Sequence, residues 1–268
     1  MSLGVVIKGP EGVVLAADSR VTLEAKHGEA PPILVSFDNA TKLLSFSEHR
    51  YVGAVTYGAA LIGQRTAHSY VPEFELALSK TRGKQRITVL ELAKSMSKFF
   101  MDRWQEAMPK DYDGPHMSFI VGGYDPDAAY GAVFLFEIPR QPEPQPRNAG
   151  ENEFGMTWGG QLEIVSRLIH GYDPALIPIL RHSLKLNEKQ VSELQEMLAA
   201  NLEFRIPYRV LPLQDCVDLA TFLVRTTMTA QGLAIAVRGV GGPIEVAMIT
   251  RTDGIRWVQR KIIHGEGG

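Results

Sequence analysis

Residues 2–20 read SLGVVIKGPEGVVLAADSR, with two short β-branched runs on either side of Gly9-Pro10-Glu11-Gly12. Such runs around a glycine-proline turn predict a β-hairpin. A small second residue usually allows the initiator Met1 to be removed, and Ser2 then becomes the first residue of the chain. It would carry a hydroxyl and a free α-amine on one residue. The predicted hairpin would therefore begin with a nucleophile that has its own base.

A serine hydroxyl is a weak nucleophile and needs a neighbouring group to take its proton. An α-amine has a pKa of about 7.7–8.0, so roughly a fifth of it or less is free base at pH 7. A nearby buried lysine would lower that pKa, and a carboxylate would have to hold the lysine. Asp18 and Lys42 are the candidates. The spacing alone favours a plainer interpretation, in which Asp18 forms a surface ion pair with Arg20 and Lys42 is solvated.

The opening resembles the start of a mature proteasome β subunit and of its bacterial relatives in the N-terminal nucleophile hydrolase family. Ser2 falls on the catalytic threonine of that family without a gap as far as Arg20, and Asp18 falls on the acidic residue that holds the lysine. Lys42, in the block 39–45, takes the place of the catalytic lysine. The match is good over roughly the first seventy residues and loose beyond them.

Other site residues also follow from this resemblance. Val21-Thr22 matches the segment whose backbone binds extended substrate, so Thr22 is a substrate-binding candidate. The stretch 51–60 resembles the strand-to-helix turn whose glycine N–H stabilises the oxyanion, which indicates Gly58. Arg20 is expected to brace the cluster rather than to react.

The resemblance also implies a fold and partners. The fold would be α+β, a four-layer αββα sandwich of two antiparallel sheets with helices outside. Blocks of strands and helices in this order agree with such layers, as they do with other α+β folds. The function implied is cleavage of amide bonds in a peptide or protein substrate, without cofactor or metal. The family implies a homo-oligomeric ring, with an ATP-driven unfoldase as a further partner.

Several departures from the family pattern keep two alternatives open. The chain carries an insertion over 24–38 and a longer hairpin around 47–50. The segment 157–161 lacks the usual serine, Gln231 stands where an aspartate is expected, and Gly241-Gly242 replaces a Ser-Gly turn. One alternative is therefore a catalytically inactive ring subunit of the same fold. The other is a small-molecule amidase of the same superfamily, which would not need a ring.

Composition limits the remaining possibilities. The 268 residues are 45% hydrophobic and 22% charged, which is typical of a globular chain. We expect a single domain over 1–268 with an extra helical insertion at about 172–210. A net charge of −2 gives no basic field for nucleic acid or an anionic membrane. The single cysteine, Cys216, fits a core thiol in a reducing compartment, and with no signal peptide or long apolar run a cytoplasmic location is expected.

Other chemistries find little support in the sequence. The seven histidines show no zinc-type spacing, and no phosphate loop or serine elbow occurs. Asp125 and Asp127 lie in one turn and could suggest a cation site, but the rest of a calcium loop is missing.

Local patterns predict most of the remaining elements. Thr88 and Glu91 form a capping box at the start of an amphipathic helix, and Asn187 resembles a second one. The helical insertion is either packed on the outer layer or a contact surface between subunits or over an entrance. The other predictions are a helix over 59–80 that breaks or starts afresh near Pro72, strands over 117–122 and 130–138, an exposed loop over 140–153, a helix over 161–170, a helix over 213–228, a strand over 233–237 and a hairpin over 245–258.

Overall fold

A computed structural model describes residues 2–25, 33–82, 85–150, 152–235, 237–263 and 265. The fold is mixed α+β with antiparallel sheets, and it is compatible with an α+β sandwich. The strands are Leu3–Lys8 (β1), Val13–Ala17 (β2), Val21–Ala25 (β3), Ile33–Phe37 (β4), Leu43–Ser45 (β5), Val52–Gly58 (β6), Met117–Gly123 (β7), Ala132–Ile138 (β8), Gln141–Arg147 (β9), Gly155–Gly160 (β10), Glu245–Thr250 (β11) and Gly254–Gln259 (β12). The α-helices are Val71–Arg82 (α1), Val89–Ala107 (α2), Glu163–Ile169 (α3), Leu176–Leu184 (α4), Glu188–Leu202 (α5) and Leu213–Leu233 (α6).

The first sheet has the strand order β10-β1-β2-β11-β12, and all its neighbours are antiparallel. The predicted opening hairpin is confirmed as β1–β2, closed by a hydrogen bond from Gly9 N to Gly12 O at 2.9 Å. Every residue of β1 and β2 is buried, because other layers cover both faces of these strands. The closing hairpin β11–β12 is confirmed as well.

The second sheet has the order β5-β6-β7-β8-β9 and contains a strand where the sequence predicts a loop. That prediction was wrong for Gln141–Arg147, which pairs with β8. Proline occupies alternate positions at 142, 144 and 146, so the nitrogens that lack a hydrogen all face one side. Since β9 is the edge strand, that side has no partner strand in the described chain, which is where a sheet tolerates proline.

Two helix boundaries also differ from the sequence prediction. The helix predicted over 59–80 starts at Val71, as the expected fresh start near Pro72 implies. Its first part is wrong, because a turn bridged between Ile62 and Arg65 and a short 3₁₀ helix over 67–70 stand there instead. Near the other end of the chain, α6 continues to Leu233, so the predicted strand over 233–237 was wrong. Leu233 and Ile235 are exposed, and neither pairs with a strand in the part of the chain that the structure describes. Residue 236 lies outside the described residues.

Three apolar clusters show how the layers pack. The cluster between the two sheets contains side chains from β1, β2, β5, β6, β7, β8 and β11. A second cluster joins the outer face of the β5–β9 sheet to α1 and α2. A third joins the first sheet to α3 and α6, and it includes the buried Cys216. Burial raises the pKa of the Cys216 thiol to about 11, as the prediction of a core thiol requires.

The predicted insertion over 24–38 contains most of a separate two-stranded sheet, β3 paired with β4, and residues 26–32 of it lie outside the described chain. The segment 172–210 is helical, as expected, with α4, α5 and a 3₁₀ helix at Tyr208–Val210. Both capping boxes, at Thr88 and at Asn187, are confirmed. Among the described residues, no helix combines the length and the apolar character that a membrane span requires.

Candidate active site

Ser2 lies immediately before β1, and the neighbouring strand β10 ends beside its backbone. Gln161 N donates a hydrogen bond to Ser2 O at 2.8 Å, just after β10 ends. Gly160 has φ +98, and a Cβ there would lie 1.9 Å from Ser2 O, so only glycine allows this approach. The side chain of Ser2 is buried, and Met1 lies outside the described residues. The backbone of Ser2 is thus held at the start of β1, beside the end of β10.

Asp18 follows β2 and is fully buried, with 0% of its surface exposed. Its Oδ1 accepts hydrogen bonds from Leu3 N at 2.9 Å and from Lys42 Nζ at 2.7 Å. Its Oδ2 accepts from Arg20 N and from Gly241 N, both at 3.0 Å. Both oxygens of this buried carboxylate are therefore satisfied by hydrogen-bond donors. The interpretation of Asp18 as part of a surface ion pair with Arg20 was therefore wrong.

Lys42 lies just before β5, with only 4% of its surface exposed, so the idea of a solvated lysine was also wrong. Besides Asp18, its Nζ donates a short hydrogen bond to Arg20 O. Burial lowers the pKa of Lys42, and the charge of Asp18 and its hydrogen bond oppose that change. The resemblance predicted this pair although the spacing alone favoured the plainer interpretation, and the structure places both groups in contact.

Arg20 pairs with Asp38 instead. Its Nε donates to Asp38 Oδ1 at 2.5 Å and its Nη2 to Asp38 Oδ2 at 2.8 Å, a bidentate pair. The hydrogen bond raises the pKa of Arg20 and lowers that of Asp38. A Cβ at Gly241 would lie 2.6 Å from Arg20 Cζ, so the glycine leaves room for the guanidinium. The backbone of Arg20 thus contacts Asp18 and Lys42 while its guanidinium binds Asp38, a residue that the sequence reasoning missed.

A narrow cavity connects Ser2 with Lys42. The room in it for water-sized groups is about 20 Å³, enough for about one water molecule. The hydroxyl of Thr56 is buried in its wall and has no hydrogen-bond partner among the described residues. A cavity of this size has room for one small polar molecule between walls that include Ser2, Lys42 and the Thr56 hydroxyl. Its walls are formed by Ser2, Val21, Ala40, Thr41, Lys42, Thr56, Tyr57, Ala59, Ala60, Thr66, Ala67 and Met117.

Gly58 ends β6, between two residues of this cavity wall, Tyr57 and Ala59. It has φ +89, and a Cβ would lie 2.1 Å from His116 O, so the turn requires glycine. Ala59 N donates to the same carbonyl at 2.7 Å. The predicted oxyanion turn thus lies beside the cavity of Ser2 and Lys42.

Thr22 takes a more peripheral position than expected. It lies in β3, and its hydroxyl contacts that of Ser36 in β4 at 3.0 Å. Its neighbour Val21 lines the cavity instead. Because both residues belong to β3, the backbone of 21–22 still lies next to the cavity.

The Gly241-Gly242 turn contacts Asp18 directly, and Gln231 contacts the residue before that turn. The amide of Gln231 donates to Gln161 Oε1 at 3.0 Å and accepts from Val240 N at 2.9 Å. Gln231 thereby links Gln161, whose N–H binds Ser2 O, to the turn at Gly241, whose N–H binds Asp18. Gly242 has φ +72, and a Cβ there would lie 2.1 Å from Asp38 O. The neutral amide and the two glycines supply backbone support where the family pattern has charged and hydroxyl groups.

One further pair near the site was missed by the sequence reasoning. Lys261 Nζ donates to Ala40 O at 2.8 Å and to Glu245 Oε2 at 3.2 Å. No motif marks these residues: the closing hairpin brings Lys261 near Glu245, while Ala40 is 221 positions away in the sequence.

The suggested cation site has another explanation. Asp125 Oδ1 accepts a hydrogen bond from Val89 N at 2.7 Å at the start of α2, so this carboxylate caps a helix. Asp127 has φ 61 in the same turn. In the part of the chain that the structure describes, no group of three or more His, Cys, Asp or Glu side chains is arranged to hold a metal ion.

Comparison with known proteins adds no identity: no protein-family model matches this sequence, and neither does any curated protein.

Proposed function

We propose that this protein is an amide hydrolase whose nucleophile is Ser2, exposed as the first residue by removal of Met1. The observation that carries the proposal is the buried ion pair between Lys42 Nζ and Asp18 Oδ1 at 2.7 Å, in the wall of the cavity that Ser2 lines. A buried charge pair is costly to maintain, and it is weak evidence for stability alone. Its position beside a serine hydroxyl favours a chemical role.

The proposed fold is the four-layer αββα sandwich of N-terminal nucleophile hydrolases. It is supported by an apolar cluster between the sheets and by one further cluster on the outer side of each sheet. In such an arrangement the start of β1 lies at the edge between the sheets, where Ser2 is found.

The proposed reaction begins with attack of Ser2 Oγ on the amide carbonyl. The proton of the hydroxyl passes to the α-amine through a water, for which the cavity has room. The charge of Lys42 favours the free base form of that amine, and Asp18 holds Lys42 in place. The N–H of Gly58 stabilises the oxyanion, an effect typically worth about 3 kcal/mol. The amine then protonates the departing nitrogen, and water hydrolyses the acyl-serine.

The proposed substrate is a peptide or protein segment bound in an extended form along 21–22. A homo-oligomeric ring with the site facing inward would restrict access to unfolded chains, and an ATP-driven unfoldase would deliver them. A reducing, cytoplasmic compartment fits the single buried thiol.

An inactive subunit of the same fold is the second candidate, because two observations favour it. Only 5% of the surface of Ser2 is exposed, and the cavity beside it is too small for a substrate side chain. The neutral Gln231 stands in a supporting position where the family pattern has an acid. In this case the Asp18–Lys42 pair would be a structural remnant.

The mass of the N-terminal peptide after incubation with a peptide epoxyketone tests the proposal. That reagent forms its ring product only with a hydroxyl and a free amine on one residue. We expect a single adduct on Ser2 with Met1 absent. Ser2→Ala is the matched control and should give no adduct. Unmodified Ser2 in protein that has lost Met1 would overturn the hydrolase and favour the inactive subunit.

A further inference from the structure

The segment after β12 returns to the candidate active site, where the side chain of Lys261 forms two hydrogen bonds. Lys261 donates to Ala40 O and to Glu245 Oε2, at 2.8 and 3.2 Å. The side chains of Lys261 and Glu245 are only 10% and 2% exposed. An ion pair this well covered is held in one geometry, unlike the exposed pairs on the surface.

Both partners of Lys261 adjoin the proposed catalytic groups. Ala40 lines the cavity, its N donates to Ser19 O at 2.9 Å, and it precedes Lys42 by two residues. Glu245 opens β11 and pairs in register with Ala17, directly before Asp18. One side chain therefore ties the strand before Asp18 to the loop before Lys42.

We propose that Lys261 is a positioning residue of the Ser2 site, which fixes the Ala40 peptide and adds a second cation beside Lys42. This inference rests on the proposed function. Without Lys261, the carbonyl of Ala40 would lose its donor, and the buried carboxylate of Glu245 would lose its partner. The loop before Lys42 would then keep its contact with 18–20 and the hydrogen bond from Thr56 N to Lys42 O, but Ala40 would lose its side-chain donor.

The charge of Lys261 acts in the direction that the proposed reaction requires. It contributes to lowering the pKa of Lys42, after the larger effect of burial. Any cation in the cluster makes each proton easier to remove, including that of the Ser2 amine. The charged and titratable groups that face Lys42 or Lys261 are Asp18, Arg20, Asp38, Glu245, Arg260 and His68.

The pH dependence of epoxyketone modification distinguishes this role from a purely structural one. In Lys261→Met we expect the pH midpoint of the modification rate to rise by about half a unit, which is about a threefold slower reaction at pH values below the midpoint. Lys261→Arg keeps the charge and should return the midpoint to that of the wild type. Lys189→Met removes a charge from a side chain that is 85% exposed in α5, and should leave the midpoint unchanged.

A second variant guards against loss of the fold. Lys261→Met with Glu245→Gln removes the pair without leaving a buried carboxylate unpaired. This double variant should unfold close to the wild-type temperature and keep part of the upward shift of the midpoint. Wild-type midpoints in folded Lys261→Met and in the double variant would overturn the inference and leave Lys261 as a structural contact only.

A direct titration separates this inference from the proposed function. The pKa of Lys42 can be followed by NMR of isotope-labelled lysine, with Lys42→Arg to assign the signal, and it should be higher in Lys261→Met than in wild type. If wild-type protein is not modified at Ser2 but this pKa still rises, the proposed function fails and the coupling between the two lysines stands. If Ser2 is modified and neither the pKa nor the midpoint moves, the inference fails and the hydrolase stands.

Discussion

The buried end of the sheets around Asp18 and the helical segment 172–210 are held in different ways. Around Asp18, both carboxylate oxygens are fully used by donors from four separate parts of the chain. In the helical segment, α4 has no buried residue and α5 has only Val191. In the first region, hydrogen bonds from distant segments fix the position of the Asp18 side chain and of the strands around it. The second region depends on its own capping box and turns, and it keeps an apolar surface uncovered, including Ile179 at 59% exposed.

Of the variants considered, Asp18→Asn should cause the largest loss in the free energy of unfolding. An asparagine places an NH₂ group against two donors whichever way it is turned, and it leaves Lys42 buried without its counter-charge. We expect a loss of about 3–5 kcal/mol in the free energy of unfolding, measured by urea denaturation. Modification of Ser2 should be lost as well. Retention of stability within about 1 kcal/mol would mean that the network is not what fixes this region.

Gly58→Ala should give the next largest effect. The positive φ and the predicted clash of a Cβ with His116 O together put the cost at about 1–3 kcal/mol, again by urea denaturation. Gly232→Ala is the matched control in α6, because a Cβ there meets nothing within 4 Å. That control should be neutral or stabilising by up to about 1 kcal/mol. Equal losses in both variants would show that the turn at Gly58 carries no special constraint.

The Arg20–Asp38 pair, at the exposed rim of the site, should give a smaller and pH-dependent effect. The folded pKa of Asp38 lies below its ordinary value of 3.8, so its stabilising contribution is present above that value and is lost as the pH falls through the folded pKa. The stability difference between wild type and Asp38→Asn should therefore be largest near pH 6 and shrink below pH 4. Because this carboxylate is nearly half exposed, we expect less than about 1 kcal/mol. A difference that grows towards low pH would contradict this assignment.

The smallest effect on stability belongs to the helical segment. Ile179→Ser should change the free energy of unfolding by no more than about 0.5 kcal/mol, since the side chain is exposed. Leu223→Ala, in the buried face of α6, should cost about 2–5 kcal/mol by the same measurement. A large loss in Ile179→Ser would show that something covers α4 in solution, and a simultaneous fall in mass by light scattering would identify another copy of the chain.

The contrast between local and distant contacts also explains what the sequence predicts. The hairpin β1–β2 and the capping box at Thr88 depend on residues a few positions apart, and both are present. The strand β9 was missed because its prolines argue against a strand, until its place at the sheet edge is known. The end of α6 was misplaced because an apolar run favours a strand only where another strand lies beside it.

In the candidate site, too, the sequence predicts local features better than contacts between distant segments. The resemblance assigned Asp18 and Lys42 to one cluster, whereas the spacing alone favoured a solvated lysine, and the two groups are in contact. Asp38 lies in a predicted insertion, and its pairing with Arg20 depends on how β4 returns. The closing hairpin brings Lys261 near Glu245, but both reach the site only because β11 pairs with β2, a long-range contact that no local pattern indicates.

The contact between Lys261 and Ala40 has a consequence for the order in which the protein acquires its structure. Nearly the whole sequence separates Ser2 from Lys261, although both adjoin the loop before Lys42. A ribosome makes the chain from its N-terminus, so the first strands emerge long before the last contact to this loop becomes available. During that interval the carbonyl of Ala40 has no lysine to bind, and the buried position of Glu245 does not yet exist. The serine end of the chain is therefore synthesised first and completed last.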